Sequence, residues 1–391
     1  MMATSQFGFS GFGRDCCMMA TFQVGFSGFD WDCWRPNKFT DSEHQPCLKA
    51  AAVLTEGSKK YQLVTPNFQS DEQHMPKLRK CHVDVLDDLV YFGTSFAQSN
   101  PLISNIYHTY EEDQANYTSL RKHNIFDHVI TLLRHNDVES FVQNVLTLEI
   151  EGLTDKAVAL LNIIRYTWVS FHPTLKNGPL LVQNHERTYF YWECNKISPC
   201  CLKDRGLFRM CETQFTSRKY LDYRTSEYTN NSLKYNDALG YFRWLNNMEA
   251  IIVEASSTVH TIEDCLKLLV CGISSLRKEA ILNKNSSIAT FKKLKVFGLK
   301  SIQNQVALSE LYMNNPTSWN FVEKRTATLP SSWDNRILLV KYLELTATIF
   351  DDICDTHHLL QKLMEENLGL DSTDSRSLKS MFEEQAHVRT S

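Results

Sequence analysis

Apolar residues recur three and four positions apart along much of the chain beyond residue 76. The spacing is clear in residues 85–106 and again in 155–169. Positions three and four apart lie on one face of an α-helix, so the spacing predicts amphipathic helices that pack on one another. Few alternating stretches or hairpin dipeptides interrupt it. The pattern therefore predicts an all-α fold.

The helical pattern is interrupted once, and this interruption suggests a domain boundary. Residues 173–235 contain several prolines, asparagines and serines, which are typical of loops. We place a boundary near residue 215, giving an N-terminal helical domain at 76–215 and a C-terminal one at 216–391. Residues 1–75 form a separate leader, which opens with a tandem duplication of seventeen residues, identical at twelve aligned positions.

The most distinctive local pattern is a long apolar segment near the C-terminus. Ser331 follows Pro330, and Asp334 comes three residues later, which predicts a capped helix start with an acid at its positive end. Residues 337–350 are then almost wholly apolar. The sequence predicts a largely buried helix here.

Three aspartates end this apolar segment: Asp351, Asp352 and Asp355. On a helix the first and last lie within about 40° of each other, with Asp352 beside them. Their mutual repulsion calls for a compensating charge, and Mg²⁺ suits such a patch because it takes one or two carboxylates and fills its other positions with water and phosphate oxygens. The alternative is a solvated acidic helix end. At most one of the neighbouring His357 and His358 could join the site, because adjacent helix residues point about 100° apart; the alternative is that both are ordinary helix-surface histidines.

Composition and charge narrow the classes of protein. The chain has 391 residues, of which 43% are hydrophobic, as in an ordinary globular protein. Its net charge of −4 provides no overall positive charge that would attract nucleic acid. We therefore expect no nucleic-acid partner. No apolar run approaches the roughly 20 residues that cross a bilayer.

Twelve cysteines at irregular spacings indicate reduced thiols and a cytoplasmic location, with a plastid as the alternative. Four of them lie close in sequence, and we interpret these as buried thiols rather than a zinc site: Cys194, Cys200, Cys201 and Cys211.

The residues around the aspartates also resemble those of a known protein family. RILLVKYLELTATIFDDICD at 336–355 resembles the helix of plant-type class I terpene synthases that carries their aspartate-rich DDxxD motif. Four earlier segments are similar to segments of that family and occur in the same order: 83–107, 120–133, 155–168 and, more faintly, 248–256. The resemblance spans roughly 270 residues.

The resemblance implies a fold, a reaction and a site. The expected fold is all-α, with two helical domains of the terpenoid synthase type. Asp351, Asp352 and Asp355 would be the catalytic and metal-binding residues, holding Mg²⁺ or Mn²⁺ against the diphosphate of a geranyl- or farnesyl-type substrate. The metal would promote departure of the diphosphate as a Lewis acid, and the resulting cation would cyclise to a terpene.

The family's second metal motif is missing. It lies well downstream of the first in that family, whereas only 36 residues follow Asp355 here. NDALGYFRW at 236–244 and NDVESFVQN at 136–144 begin like the second motif but lack its final Glu. The catalytic bundle implied by the resemblance would therefore be incomplete. The alternative function is a non-enzymatic α-helical scaffold or protein-interaction protein.

Overall fold

The computed structural model describes residues 51–54, 61–64, 89–95, 97–177, 207–217, 221, 235–243, 245–256, 261–315, 318–371, 376–381 and 383. All of them belong to one compact unit, residues 47–391. The duplicated leader segment, the paired cysteines 200–201 and Cys194 lie outside the described residues.

Helices and strands alternate in groups along the described chain. The α-helices are α1 (Pro101–Ala115), α2 (Thr118–Lys122), α3 (Phe126–His135), α4 (Phe141–Leu146), α5 (Asp155–Asn177), α6 (Thr261–Leu282), α7 (Ile288–Phe291) and α8 (Leu339–Asn367), with a 3₁₀ helix at Trp333–Leu338. The strands are β1 (Ala51–Leu54), β2 (Tyr61–Val64), β3 (Leu89–Gly93), β4 (Leu207–Gln214), β5 (Tyr235–Phe242), β6 (Met248–Ser256), β7 (Lys295–Ile302), β8 (Gln305–Asn315) and β9 (Ser318–Thr328).

A seven-stranded mixed sheet organises the fold, in the order β3-β9-β8-β7-β6-β5-β4, and β1 pairs with β2 separately. Strands β4, β5 and β6 form an antiparallel meander, as do β7, β8 and β9. The two meanders join through β6 and β7, which run parallel and are connected by α6. Strand β3 pairs in parallel with β9 at one edge. The sheet thus contains two similar units, each a three-stranded meander followed by a long helix.

Helices cover both faces of this sheet. On one face, α6 packs so closely that a Cβ at Gly272 would lie 2.5 Å from Leu311 Cδ2. The next residue along β8, Glu310, instead accepts a hydrogen bond from the Tyr110 hydroxyl of α1 at 2.6 Å. Because successive strand residues point to opposite faces, α6 and α1 lie on opposite sides of the sheet.

The all-α prediction is wrong, and the reason is visible in the strands. The segment 295–302, predicted as helical, is a strand with six consecutive buried residues. A short apolar run that is buried on both faces shows no alternation, so periodicity cannot distinguish it from a buried helix. The segment 248–256, which lies in the predicted C-terminal helical domain, is likewise strand β6. At 89–93 the predicted helix is strand β3.

Several predicted helices are confirmed. The segment 155–169 lies in α5, and the aspartate-bearing segment lies in α8. The cap before α8 differs by one position from the prediction: Ser332 and Asn335 form a reciprocal capping box at the start of the 3₁₀ helix. The helix also continues past the aspartates to Asn367.

Candidate functional site

Asp351, the first of the predicted metal ligands, is held by three basic side chains. Its carboxylate lies 2.8 Å from Lys122 Nζ, 3.0 Å from His123 Nε2 and 2.7 Å from Lys156 Nζ. Burial opposes ionisation of this carboxyl, but the hydrogen bonds from His123 and the two lysines outweigh burial and lower its pKa. The interaction joins α8 to α2 and α5, which explains a buried aspartate without a metal.

The other two predicted ligands lie in different surroundings. Asp352 accepts hydrogen bonds from Lys324 Nζ at 2.8 and 2.9 Å, and Lys324 also contacts Glu310 at 3.3 Å. Burial raises the pKa of Asp352, although Lys324 opposes the rise. Asp355 is exposed. Among the residues that the structure describes, no group of three or more His, Cys, Asp or Glu side chains is placed to hold a metal ion. The prediction that these aspartates form a metal-binding DDxxD cluster is therefore wrong for the three residues as a group.

The histidines next to the aspartates also have ordinary packing environments. The His357 ring stacks edge-on against Phe242, with 5.4 Å between ring centroids, and His358 is exposed. The structure does not bring them to the aspartates as further ligands.

A different set of charged residues gathers where β6 ends. Glu254 lies near the carboxyl end of β6, and Lys300 pairs with it near the end of the parallel strand β7. Asp237 lies at the beginning of the antiparallel strand β5, so it reaches the same end of the sheet. The first turns of α6 begin there too and contribute Asp264 and Lys267. Ligand sites in open α/β sheets typically lie outside the carboxyl ends of the strands.

Glu254 is the most constrained of these side chains. It is 1% exposed, although it carries a carboxylate. One oxygen, Oε2, accepts a hydrogen bond from Lys267 Nζ at 2.7 Å. The other, Oε1, is buried and has no hydrogen-bond partner among the described residues. A buried carboxylate oxygen without a partner is costly to keep, so Glu254 is a candidate for a functional role.

Asp237 lies directly across from Glu254. Ala238 pairs with Val253, so the same register continued by one residue sets Asp237 opposite Glu254. Side chains directly opposite in an antiparallel pair share a face, with Cβ atoms roughly 5 Å apart. Asp237 Oδ2 also accepts a hydrogen bond from the backbone of Ala255 at 2.7 Å. The hairpin therefore fixes two acidic side chains next to each other.

Burial and neighbouring charges shift the pKa values of Glu254 and Lys267. Burial raises the pKa of Glu254 to about 8; Lys267 opposes the rise, and the nearby carboxylates of Asp237 and Asp264 add to it. Burial also disfavours the Lys267 ammonium, but the Glu254 carboxylate outweighs burial and raises the pKa of Lys267. Perturbed groups of this kind concentrate at functional sites. We therefore treat Asp237, Glu254 and Lys267 as the candidate site.

The sequence contained a partial signal for this site. The segment 236–244 begins like the second metal motif of class I terpene synthases but lacks its final Glu. The structure supplies a glutamate from the next strand, Glu254, across the hairpin. Spacing along one strand could not reveal it, since the partner lies in a different strand and only the register sets them opposite.

Comparisons with known proteins found no significant match, so the function is inferred from the candidate site. No protein-family model matches the chain, no curated protein is significantly similar to it, and no solved structure shares its fold at a significant level. Among the described residues, no helix is both long and apolar enough to cross a membrane.

Proposed function

We propose that the protein binds a divalent cation between Asp237 and Glu254 and uses it to cleave a phosphate ester. Mg²⁺ is the cation that we expect. The observation that carries this proposal is the buried Glu254 Oε1, which has no hydrogen-bond partner among the described residues and lies opposite a second carboxylate. The proposal keeps the magnesium chemistry that the sequence suggested but assigns it to different residues.

The carboxylates favour a divalent cation here. Asp237 and Asp264 both raise the pKa of Glu254; Lys267, which pairs with Glu254, supplies one positive charge, and Lys300 on the neighbouring strand supplies a second. Mg²⁺ is usually held by one or two carboxylates, keeps several waters and binds substrate phosphate oxygens. A pair of carboxylates near the end of strand β6 matches that requirement without a third protein ligand.

Lys267 gives the site a means of acting on phosphate. Its ammonium lies 2.7 Å from Glu254, so a phosphate oxygen drawn to the cation would also lie near a fixed positive charge. A bound cation polarises a phosphoryl oxygen and makes a bound water more acidic. Together these features support hydrolysis of a phosphate ester.

Cation binding by calorimetry is the first test. Titration of MgCl₂ and MnCl₂ into the protein should show binding that weakens at least tenfold in Asp237→Asn and Glu254→Gln. Because the Glu254 pKa is about 8, binding near pH 7 should release a proton, measurable in buffers of different ionisation enthalpy. Equal affinity in wild type and Glu254→Gln would contradict the proposal.

Glu249 provides a matched control on the same strand. It is also a buried carboxylate, but it accepts hydrogen bonds from Thr216 N and Oγ1 and from Ser217 N at 2.7, 2.8 and 3.1 Å. Both of its oxygens are thus occupied by protein donors. Glu249→Gln should leave cation affinity unchanged if the unpaired oxygen of Glu254 is what binds.

Activity can be tested with a generic diester and with the substrate that the sequence suggested. Hydrolysis of bis(p-nitrophenyl) phosphate should need Mg²⁺ or Mn²⁺ and disappear in Glu254→Gln. Geranyl and farnesyl diphosphates belong in the same assay, because terpene formation stays a prediction. Asp351→Asn separates the two sites: if it abolishes cation binding while Glu254→Gln does not, the sequence-derived site is the correct one.

A further inference from the structure

A cysteine and a lysine lie unusually close together beside the proposed cation site. Lys300 Nζ on β7 is 2.9 Å from Cys265 Sγ on α6. Lys300 is 9% exposed, so its amine is held against the helix rather than in solvent. Cys265 is partly exposed, whereas a fully buried thiol would be shielded from an oxidant in solution.

The other described free cysteines differ in both respects. Cys271 and Cys354 are buried. Cys271 contacts the side-chain amide of Asn236, at 3.8 Å from Sγ to Nδ2, and an amide nitrogen is a poor nucleophile. Cys265 therefore combines access and an adjacent amine, and Cys271 provides an internal reference in the same helix.

We propose that peroxide crosslinks Cys265 to Lys300 through a sulfur–nitrogen bond. The Cys265 sulfur first attacks one peroxide oxygen: the O–O bond breaks, one water leaves and a sulfenic acid forms. The Lys300 ammonium then releases one proton to solvent, and its nitrogen attacks that sulfur. The S–N bond forms while the S–O bond breaks, and the oxygen leaves as a second water with another proton from the nitrogen. One thiol, one ammonium and one H₂O₂ give one sulfenamide, two H₂O and one H⁺. Sulfenic acids condense in this way with nearby nitrogens, and thiols reverse the product.

The crosslink should change the cation site electrostatically, and this part of the inference depends on the proposed function. Lys300 pairs with Glu254 across β6 and β7, so its ammonium is a positive charge next to the proposed cation site. The sulfenamide nitrogen is uncharged. Loss of that charge should tighten Mg²⁺ binding several-fold, because like charges repel more strongly near a buried site.

Peptide mass spectrometry tests the crosslink by itself. The intact protein is treated with equimolar H₂O₂, digested with trypsin without reductant and compared with a dithiothreitol-treated sample. We expect a joined peptide containing Cys265 and an uncleaved Lys300, lighter by about 2 Da than the sum of the Cys265 peptide and the peptide in which Lys300 is left uncleaved. It should disappear on reduction and be absent from Cys265→Ser. A sulfinic acid at Cys265 with normal cleavage after Lys300, or equal oxidation of Cys271, would overturn the proposal.

Two lysine variants separate the crosslink from its effect. Lys300→Met removes the charge without oxidation and should tighten Mg²⁺ binding as the crosslink does, whereas Lys300→Arg keeps the charge and should match the reduced wild type. A crosslink that leaves Mg²⁺ affinity unchanged would refute the regulatory part alone. Absence of Mg²⁺ binding in the reduced protein would refute the proposed function and leave the crosslink standing.

Discussion

Replacement of Glu254 by glutamine should make the protein more stable, increasingly so as the pH rises. In the folded protein the pKa of this carboxyl is about 8, against an ordinary value of 4.5, mainly because the group is buried. Below pH 4.5 the carboxyl is protonated in both the folded and unfolded states, so it has no effect on stability. Between pH 4.5 and 8 the folded state holds the proton more tightly, and the wild type loses stability as the pH rises.

The size of the effect follows from the shift. Each pKa unit corresponds to about 1.4 kcal/mol, so the cost of the ionised carboxylate above pH 8 is several kcal/mol, with about 5 as an upper bound. This figure already includes the attraction of Lys267, which opposes the shift. Glutamine resembles the protonated acid, and Glu254→Gln should therefore equal the wild type near pH 4.5 and exceed it by several kcal/mol at pH 9.

Urea unfolding at pH 4.5, 7 and 9 with a chelator present would measure this difference. Glu249→Gln serves as the control, because it weakens the hydrogen bonds that Glu249 accepts from Thr216 and Ser217 and should destabilise the protein. Mg²⁺ should narrow the gap between wild type and Glu254→Gln, since it stabilises only the protein that binds it. A gap that is the same at pH 4.5 and 9 would refute our account of the Glu254 environment.

Three further substitutions test the surrounding fold. Asp351→Asn should cost about 2–3 kcal/mol at neutral pH, because it removes the charge of a buried carboxylate that His123 and two partly exposed lysines hold; the low pKa of Asp351 means the stabilisation is lost only as the pH falls below about 4, which acid unfolding would show. Gly272→Ala should cost about 1–3 kcal/mol in thermal unfolding, since its Cβ would lie 2.5 Å from Leu311; an unchanged melting temperature would contradict the close α6 packing. Glu279→Gln should become progressively more stable than the wild type as the pH rises from 4.5 to about 7 and stay so above it, because burial raises the Glu279 pKa to about 7; loss of its bond from Asn246 is the opposing effect, and a pH-independent difference would count against the assignment.

The stabilising substitution and the proposed function are linked. A carboxylate that destabilises the folded state and leaves one oxygen without a described partner is expected where binding, rather than folding, requires it. Glu249 on the same strand shows the contrasting case, since protein donors surround it. The comparison of these two glutamates therefore tests the site with both stability and cation affinity as readouts.

Local pattern alone determined the long helices. The spacing of apolar residues predicted α5, and the apolar segment that ends in aspartates predicted α8, because a helix that packs by one face or is nearly all buried carries its signal within a single segment. The same reasoning misassigned 248–256 and 295–302, whose runs of apolar residues fit a buried helix as well as a central strand. Which of the two they became depended on neighbouring strands far away in the sequence.

Tertiary structure alone decided the role of each acidic residue. The sequence grouped Asp351 with its neighbours, but Lys122 lies 229 residues away along the chain and neutralises it in the folded protein. Likewise, the sequence showed the start of an acidic motif at Asp237 without the partner that strand register places opposite it, Glu254. An isolated segment specifies its own helix, whereas the charge environment of a carboxylate depends on groups that only folding brings within a few ångströms.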